Sequence, residues 1–192
     1  MADAKTDYLV ILAGGQSRRM GRDKALVEIH GLRMLDHMID RFHSNELPIA
    51  LSAAQDYATG LEYVPDNPNY PDGPVGAIFS VSEYFAQREP PVNGFYTVPV
   101  DAPHAPLDLI AKLKAPHSCA IASSNGQVHP VFAYWDCDTV QSVKQSYGPE
   151  TKAPSLQWLA RQCGAETVEW IDDNSFANIN TPEELSTINK EQ

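Results

Sequence analysis

The sequence predicts an α/β domain of three layers, α/β/α, with a mostly parallel sheet, and three observations carry that prediction. A short apolar run at 8–13 (Tyr-Leu-Val-Ile-Leu-Ala) stops at Gly14-Gly15, as a strand buried on both faces does when it meets a tight turn. Segments of helical period then alternate with short apolar runs along the rest of the chain. A second strand-like run, 94–100, leads straight into Asp101-Ala-Pro-His-Ala-Pro. In sheets of this kind ligands bind beyond the carboxyl ends of the strands, so the loops after 13 and after 100 are the first places to look for chemistry.

The elements follow in order. Apolar residues at 34, 35, 38, 39 and 42 have the spacing of one helix face over 34–42. The runs 48–52 and 61–64 read as the next two strands. Positions 75–85 regain helical period behind Gly73-Pro74, where proline is tolerated in a first turn. A short helix is expected over 107–113. The runs 118–123 and 128–135 flank Asn125-Gly126, the dipeptide favoured in two-residue hairpins. Helices at 137–147 and 155–162 and a strand at 166–170 precede a last helix. Thr181-Pro-Glu-Glu184 opens that helix as a capping box with proline at its first position.

Composition narrows the function. With 192 residues, 43% of them hydrophobic, the chain can bury a sizeable core, and no repeat or linker divides it. One domain over 1–192 is expected, with a nucleotide-binding part over about 8–105 and an acceptor-binding part over about 106–185. No apolar run is long enough to span a bilayer and the N-terminus lacks a signal-peptide layout, so a cytoplasmic location without membrane association is expected. The net charge of −11 opposes nucleic-acid binding, because such a surface repels a phosphate backbone. Yet Arg18, Arg19, Arg22 and Lys24 crowd into seven residues, a positive island suited to a small anion. Cys119, Cys137 and Cys163 show no metal or disulfide spacing and read as buried thiols.

The loop 12–24, Leu-Ala-Gly-Gly-Gln-Ser-Arg-Arg-Met-Gly-Arg-Asp-Lys, combines those charges with two glycines. Gly14 and Gly15 let backbone N–H groups approach an anion, while arginine forks and the Lys24 ammonium neutralise it. Neither the Walker A nor the G-x-G-x-x-G pattern is present. Asp101, at a strand end, suits Mg²⁺, which takes one or two carboxylates plus water and phosphate oxygens; a turn or capping Asp gives the same local pattern. Asp66, after Val64-Pro65, is a second candidate, although an Asx turn beside Pro65 is the somewhat stronger reading of it. His104 and His129 stand near such loops, with turn packing the plainer role for both. Asn178 and Asn180 precede the last helix and offer donors to an anion or a heterocycle edge.

Together these residues resemble the molybdenum cofactor guanylyltransferase family, within the nucleotidyltransferases that open with a Leu-Ala-Gly/Ala-Gly-x-x-x-Arg-Met-Gly loop. The resemblance runs from Tyr8 to Leu185 and rests on the opening loop, on Asp66 with Gly73-Pro-Val-Gly76, on Pro99-Val-Asp-Ala-Pro103, and on Phe176-Ala-Asn-Ile-Asn-Thr-Pro-Glu-Glu-Leu185. It implies a Rossmann-like nucleotidyltransferase sheet and Mg²⁺-dependent transfer of GMP from GTP to the terminal phosphate of molybdopterin. On that resemblance Leu12, Ala13, Gly14, Gly15, Lys24, Ser52, Asp66 and Asp101 meet the nucleotide. Lys24, Arg19 and Asp101 carry the catalysis, Asp101 holds the metal, and Gly76, Asn178 and Asn180 lie on the pterin side. Ser52 stands where the family often has Asn, Ala77 replaces a common Gly, and Lys152 stands where an Arg is frequent. A molybdenum insertase and oxidoreductase-maturation chaperones are the partners it implies. The rival functions are CTP transfer to the same pterin, UTP transfer to a sugar phosphate, and non-catalytic carriage of the cofactor.

Overall fold

The computed structural model describes residues 6–14, 23–114, 118–148, 153–171 and 174–188. Strand β1 (Thr6–Leu12) is followed by a 3-10 turn (Lys24–Leu26) and a two-rung hairpin, β2 (Glu28–Ile29) and β3 (Leu32–Arg33). Helix α1 (Met34–Phe42) leads to β4 (Ile49–Ala53) and β5 (Glu62–Pro65). Then come α2 (Pro74–Ala86), β6 (Val92–Pro99) and α3 (Leu109–Leu113). The hairpin β7 (Ala120–Ser124) and β8 (Gln127–Asp136) is followed by α4 (Cys137–Ser146) and α5 (Leu156–Gln162), then β9 (Glu166–Trp170) and α6 (Pro182–Ile188).

The main sheet has seven strands in the order β5-β4-β1-β6-β8-β7-β9. Four of its six pairings are parallel; only β8 runs against its neighbours β6 and β7. The predicted three-layer, mostly parallel arrangement is therefore present. Asn125 and Gly126 both take positive φ, 49° and 76°, as a type I′ turn between β7 and β8 requires. The small hairpin at 28–33 has no counterpart in the sequence reading. Its strands are two residues long, too short for a period to register, and it turns through His30 and Gly31 at φ 50° and 81°.

Alternate residues of each central strand feed the two faces of the sheet. Val10, Leu12, Ala50 and Val64 pack under α2, α4 and α5 with Ile78, Phe79, Phe85, Val140 and Leu159. Leu9, Ile11, Leu51 and Val98 face α1 and α3, through Leu35, Met38, Phe42, Leu109 and Leu113. Each such aliphatic or aromatic side chain contributes about 1.5–3 kcal/mol when fully buried. Nine of the thirteen α2 residues are buried, so this helix is apolar nearly all round, and it fixes the loop that precedes it.

Gly76 shows how tightly that loop sits. A methyl group added at Gly76 would lie 1.9 Å from the Pro71 carbonyl oxygen, a clash with backbone rather than with a side chain that could swing away. Gly76→Ala is expected to cost about 3 kcal/mol, since overpacking at a fixed backbone contact cannot relax cheaply. Thermal melting should register a loss of about 10 °C in Tm for a chain of this size. An unchanged Tm would show that the 65–73 loop yields easily.

Candidate functional site

Four loops meet at the carboxyl edge of the parallel strands. Leu12 pairs with Ser52 on one side and with Pro99 on the other, and Ser52 pairs with Val64. The ladder continues one step past the strands, with Ala13 N–H donating to Ser52 O at 2.8 Å and Val100 N–H to Leu12 O at 3.0 Å. Gly14, Ser52, Asp66 and Asp101 are thereby brought to one edge from sequence positions far apart. Gly14 lies directly against Asp66, whose carboxylate would be 3.4 Å from a Cβ at that position. Asp66 is exposed, yet the protein around its carboxyl removes enough water to raise its pKa above the usual carboxylate range.

Lys24 is aimed at Asp101. Its backbone opens the 3-10 turn, capped by Asp23, whose Oδ1 accepts from Ala25 N–H at 3.0 Å. The other Asp23 oxygen accepts from Tyr57 Oη at 2.6 Å and Gln55 Nε2 at 3.2 Å, which pins the cap to the β4–β5 connection. Burial, and then this bond to Asp23, push the Tyr57 phenol up to about 12, so Tyr57 acts as a donor throughout the physiological range. From this anchor the Lys24 ammonium donates to Asp101 Oδ2 at 2.5 Å and to Asn180 Oδ1 at 2.7 Å. Both charged side chains are largely buried, 18% and 13% exposed, so water screens the pair weakly.

Asp101 itself is held by its neighbours. Arg41 of α1 donates through Nε to Ala105 O at 2.5 Å and through Nη2 to His104 O at 3.2 Å, clamping the loop that follows Asp101. Ile179 N–H donates to Asp101 O at 2.8 Å, tying the C-terminal segment to the same loop. Among the described residues no other protein group bonds the Asp101 carboxylate beyond Lys24, and no cluster of three or more His, Cys, Asp or Glu is present. A single carboxylate with one oxygen that no described residue bonds fits Mg²⁺ that brings phosphate oxygens and water as its other ligands. It does not fit a closed all-protein metal cage.

Ser52 adds an independent sign of a ligand. Its hydroxyl is buried, the residue being 1% exposed, and it is the one buried side-chain polar atom without a hydrogen-bond partner among the described residues. Buried hydroxyls are nearly always paired, so an unpaired one beside the Gly14 loop marks this strand end as a place to look for a ligand.

The C-terminal segment is positioned by packing from behind. His129 stacks on Phe176 with ring centroids 4.6 Å apart and planes 7° from parallel, and Phe132 and Trp170 meet Phe176 edge-on. Its Nε2 lies 2.8 Å from Ser124 Oγ, and burial lowers the imidazole pKa, so the ring is neutral at pH 7. His129 is thus a packing residue, and His104 contributes its carbonyl. The predicted capping box forms: Glu184 N–H donates to Thr181 Oγ1, while Glu184 Oε2 accepts from the Asn180 and Thr181 N–H groups. Asn178 is exposed. Gly76, expected on the pterin side, is buried against Pro71, and this close backbone approach is itself a reason for the glycine. Gly15, Arg18, Arg19, Arg22 and Lys152 lie outside the described residues.

Tyr57, Asp23 and Arg41 were not singled out by the sequence. Only Asp23 carried a signal, as a capping residue type directly before Lys24; the other two act through contacts 34 and 64 residues distant along the chain.

The model of the MobA-like NTP transferase domain matches residues 9–164. This chain belongs to that family. The MobA-like chain is 33% identical over 189 residues to the molybdenum cofactor guanylyltransferase of Rhizobium rhizogenes, covering 91% of this chain and 87% of that one. It is 36% identical over 193 residues to the molybdenum cofactor guanylyltransferase of Rhizobium meliloti, covering 92% and 87%. Its fold matches the crystal structure of molybdopterin-guanine dinucleotide biosynthesis protein A from Archaeoglobus fulgidus, with a TM-score of 0.72 and 16% identity over 95% of this chain and 97% of that one. The MobA-like chain is a nucleotidyltransferase of molybdenum cofactor biosynthesis. Among its described residues no helix is long and apolar enough to cross a membrane.

Proposed function

We propose that the chain transfers GMP from GTP to the terminal phosphate of molybdopterin, forming molybdopterin guanine dinucleotide and pyrophosphate with Mg²⁺ as cofactor. The observation that carries the reading is the meeting of the Lys24 ammonium and the Asp101 carboxylate at the sheet edge, beside Gly14 and the unpaired Ser52 hydroxyl. A phosphate cation and a metal-binding carboxylate at one point are what nucleotidyl transfer needs and what a carrier does not. The relatives' names give the acceptor and the base.

In this mechanism a terminal phosphate oxygen of the acceptor attacks the α-phosphorus in line. The bond from that phosphorus to the bridging oxygen breaks, and pyrophosphate leaves with the electron pair. Metal held by Asp101 supplies Lewis-acid polarisation of phosphate oxygens when bound. The chain's own groups position and neutralise. Gly14 and Gly15 let backbone N–H groups reach the phosphates, and Lys24 with Arg19 stabilises charge growing on the pyrophosphate. Leu12, Ala13, Ser52 and Asp66 hold the nucleoside part, with the Ser52 hydroxyl gaining its missing partner. Asn178 and Asn180 lie on the acceptor side, where Gly76, itself buried, contributes by letting the Pro71 backbone approach α2 closely. A cytoplasmic enzyme fed by a molybdenum insertase and serving oxidoreductase-maturation chaperones completes the reading.

The test is a panel of the four nucleoside triphosphates with Mg²⁺. GTP should raise Tm, by about 8 °C at a hundredfold excess over Kd, because specific binding stabilises the fold by mass action. Incubation with molybdopterin should then release pyrophosphate and add the mass of one guanylyl residue, GMP less water, to the pterin. Preference for CTP or UTP would overturn the guanylyl assignment, and binding of molybdopterin guanine dinucleotide without turnover would favour a carrier.

A further inference from the structure

Asn178 and Asn180 look alike in sequence, two amides one residue apart before the same helix. The structure separates them. Asn180 Oδ1 accepts from Lys24 Nζ at 2.7 Å, and its Nδ2 donates to Asn178 O at 3.3 Å. The orientation of that amide is set by chemistry, because an ammonium can only donate and must be met by the oxygen. Asn180 therefore spends its acceptor on the phosphate-side lysine, while the side chain of Asn178 stays exposed.

Four further contacts deliver Asn180 to that place. Ile179 N–H bonds Asp101 O at 2.8 Å, and Ile179 is buried with Val27, Ile29 and Met34, immediately beyond the Lys24 turn. The Asn180 N–H is held by Glu184 Oε2 at 2.6 Å. Behind the segment, Phe176 is fixed by the stack on His129. The amide is thus presented by a braced backbone, and Lys24 is gripped at its base by the Asp23 cap and at its tip by Asp101 and Asn180.

We propose that Asn180 is a positioning residue of the nucleotide half of the site: it orients the Lys24 ammonium toward the triphosphate, and only Asn178 serves the acceptor. The C-terminal segment is then part of both halves, and its two amides divide the work. This inference rests on the donor-site reading above and refines it, since Asn180 moves from the acceptor side to the side of the leaving group.

The test measures GTP affinity with Mg²⁺ and without acceptor, by thermal shift or calorimetry, for wild type, Asn180→Ala, Lys24→Met and the double variant. The segment is braced by the Ile179 and Asn180 N–H groups, and besides Lys24 the Asn180 side chain bonds only the nearby Asn178 O, so Asn180→Ala loses one local contact of its segment and is expected to fold. It should weaken GTP binding about tenfold, the scale of one lost hydrogen bond to a charged group. In the Lys24→Met background the same change should have little further effect, because a residue that acts through Lys24 has nothing left to orient. Asn178→Ala should leave GTP affinity unaltered and raise KM for molybdopterin. Full GTP affinity in Asn180→Ala, or a loss that adds undiminished to that of Lys24→Met, overturns the inference while leaving the donor-site reading intact. Failure of the wild type to bind GTP overturns both.

Discussion

Asp101→Asn is expected to reduce nucleotidyl transfer by about a thousandfold at any Mg²⁺ concentration, since metal-assisted charge stabilisation supplies several kcal/mol of the barrier reduction. Asp101 follows β6, the strand beside β1, and its loop is clamped by Arg41 and by the Ile179 N–H. Both anchors use backbone carbonyls, so the isosteric amide leaves them in place, and an amide oxygen can still accept from Lys24. What the variant loses is the negative charge. The fold should survive with a Tm several degrees lower, because the largely buried Lys24 ammonium keeps a hydrogen bond to the amide but loses its counter-ion. Steady-state rates of pyrophosphate release over a Mg²⁺ titration, set beside a thermal melt, check both halves. Retained activity would move the metal to another ligand, with Asp66 beside Gly14 the next carboxylate to test.

The fold was legible because its signals are local and repeated. A buried strand ending in Gly14-Gly15, the 3.6-residue spacing at 34–42, the Asn125-Gly126 turn and the Thr181-to-Glu184 capping box each write a physical constraint into a few adjacent residues, and each element is present. The hairpin at 28–33 was not legible, since two-residue strands leave no period. For the site, the sequence named Lys24, Asp66, Asp101 and Asn180 but not their partners. Nothing local says that Asp101 and Asn180 will both reach Lys24, across 77 and 156 positions. Nor does it say that Tyr57 will brace the Asp23 cap, or that Gly76 is demanded by Pro71 as much as by any ligand. Adjacency across the sheet edge is a product of strand order, and strand order is set by the packing of whole faces.

Lys24→Met should lower kcat by about a hundred- to a thousandfold, the usual cost of removing one preorganised group that meets charge developing in the transition state. Methionine keeps the apolar stem and removes only the ammonium, so a change confined to KM would mean that Lys24 merely binds the ground state. The variant carries a second signature, in stability. Asp101 is 13% exposed, and without Lys24 its carboxylate is left in poor contact with water and with no cation among the described residues. Breaking a buried pair from one side costs more than removing both charges, so Lys24→Met should melt below wild type by several degrees. Adding Asp101→Asn to it should recover much of that loss while leaving the enzyme inactive. Stability and activity would then move in opposite directions across the same two residues. That outcome would identify the Lys24–Asp101 pair as a feature kept for charge at the reacting phosphates rather than for the fold. If the double variant melted no higher than Lys24→Met alone, the pair would have to be counted among the contacts that hold the sheet edge together.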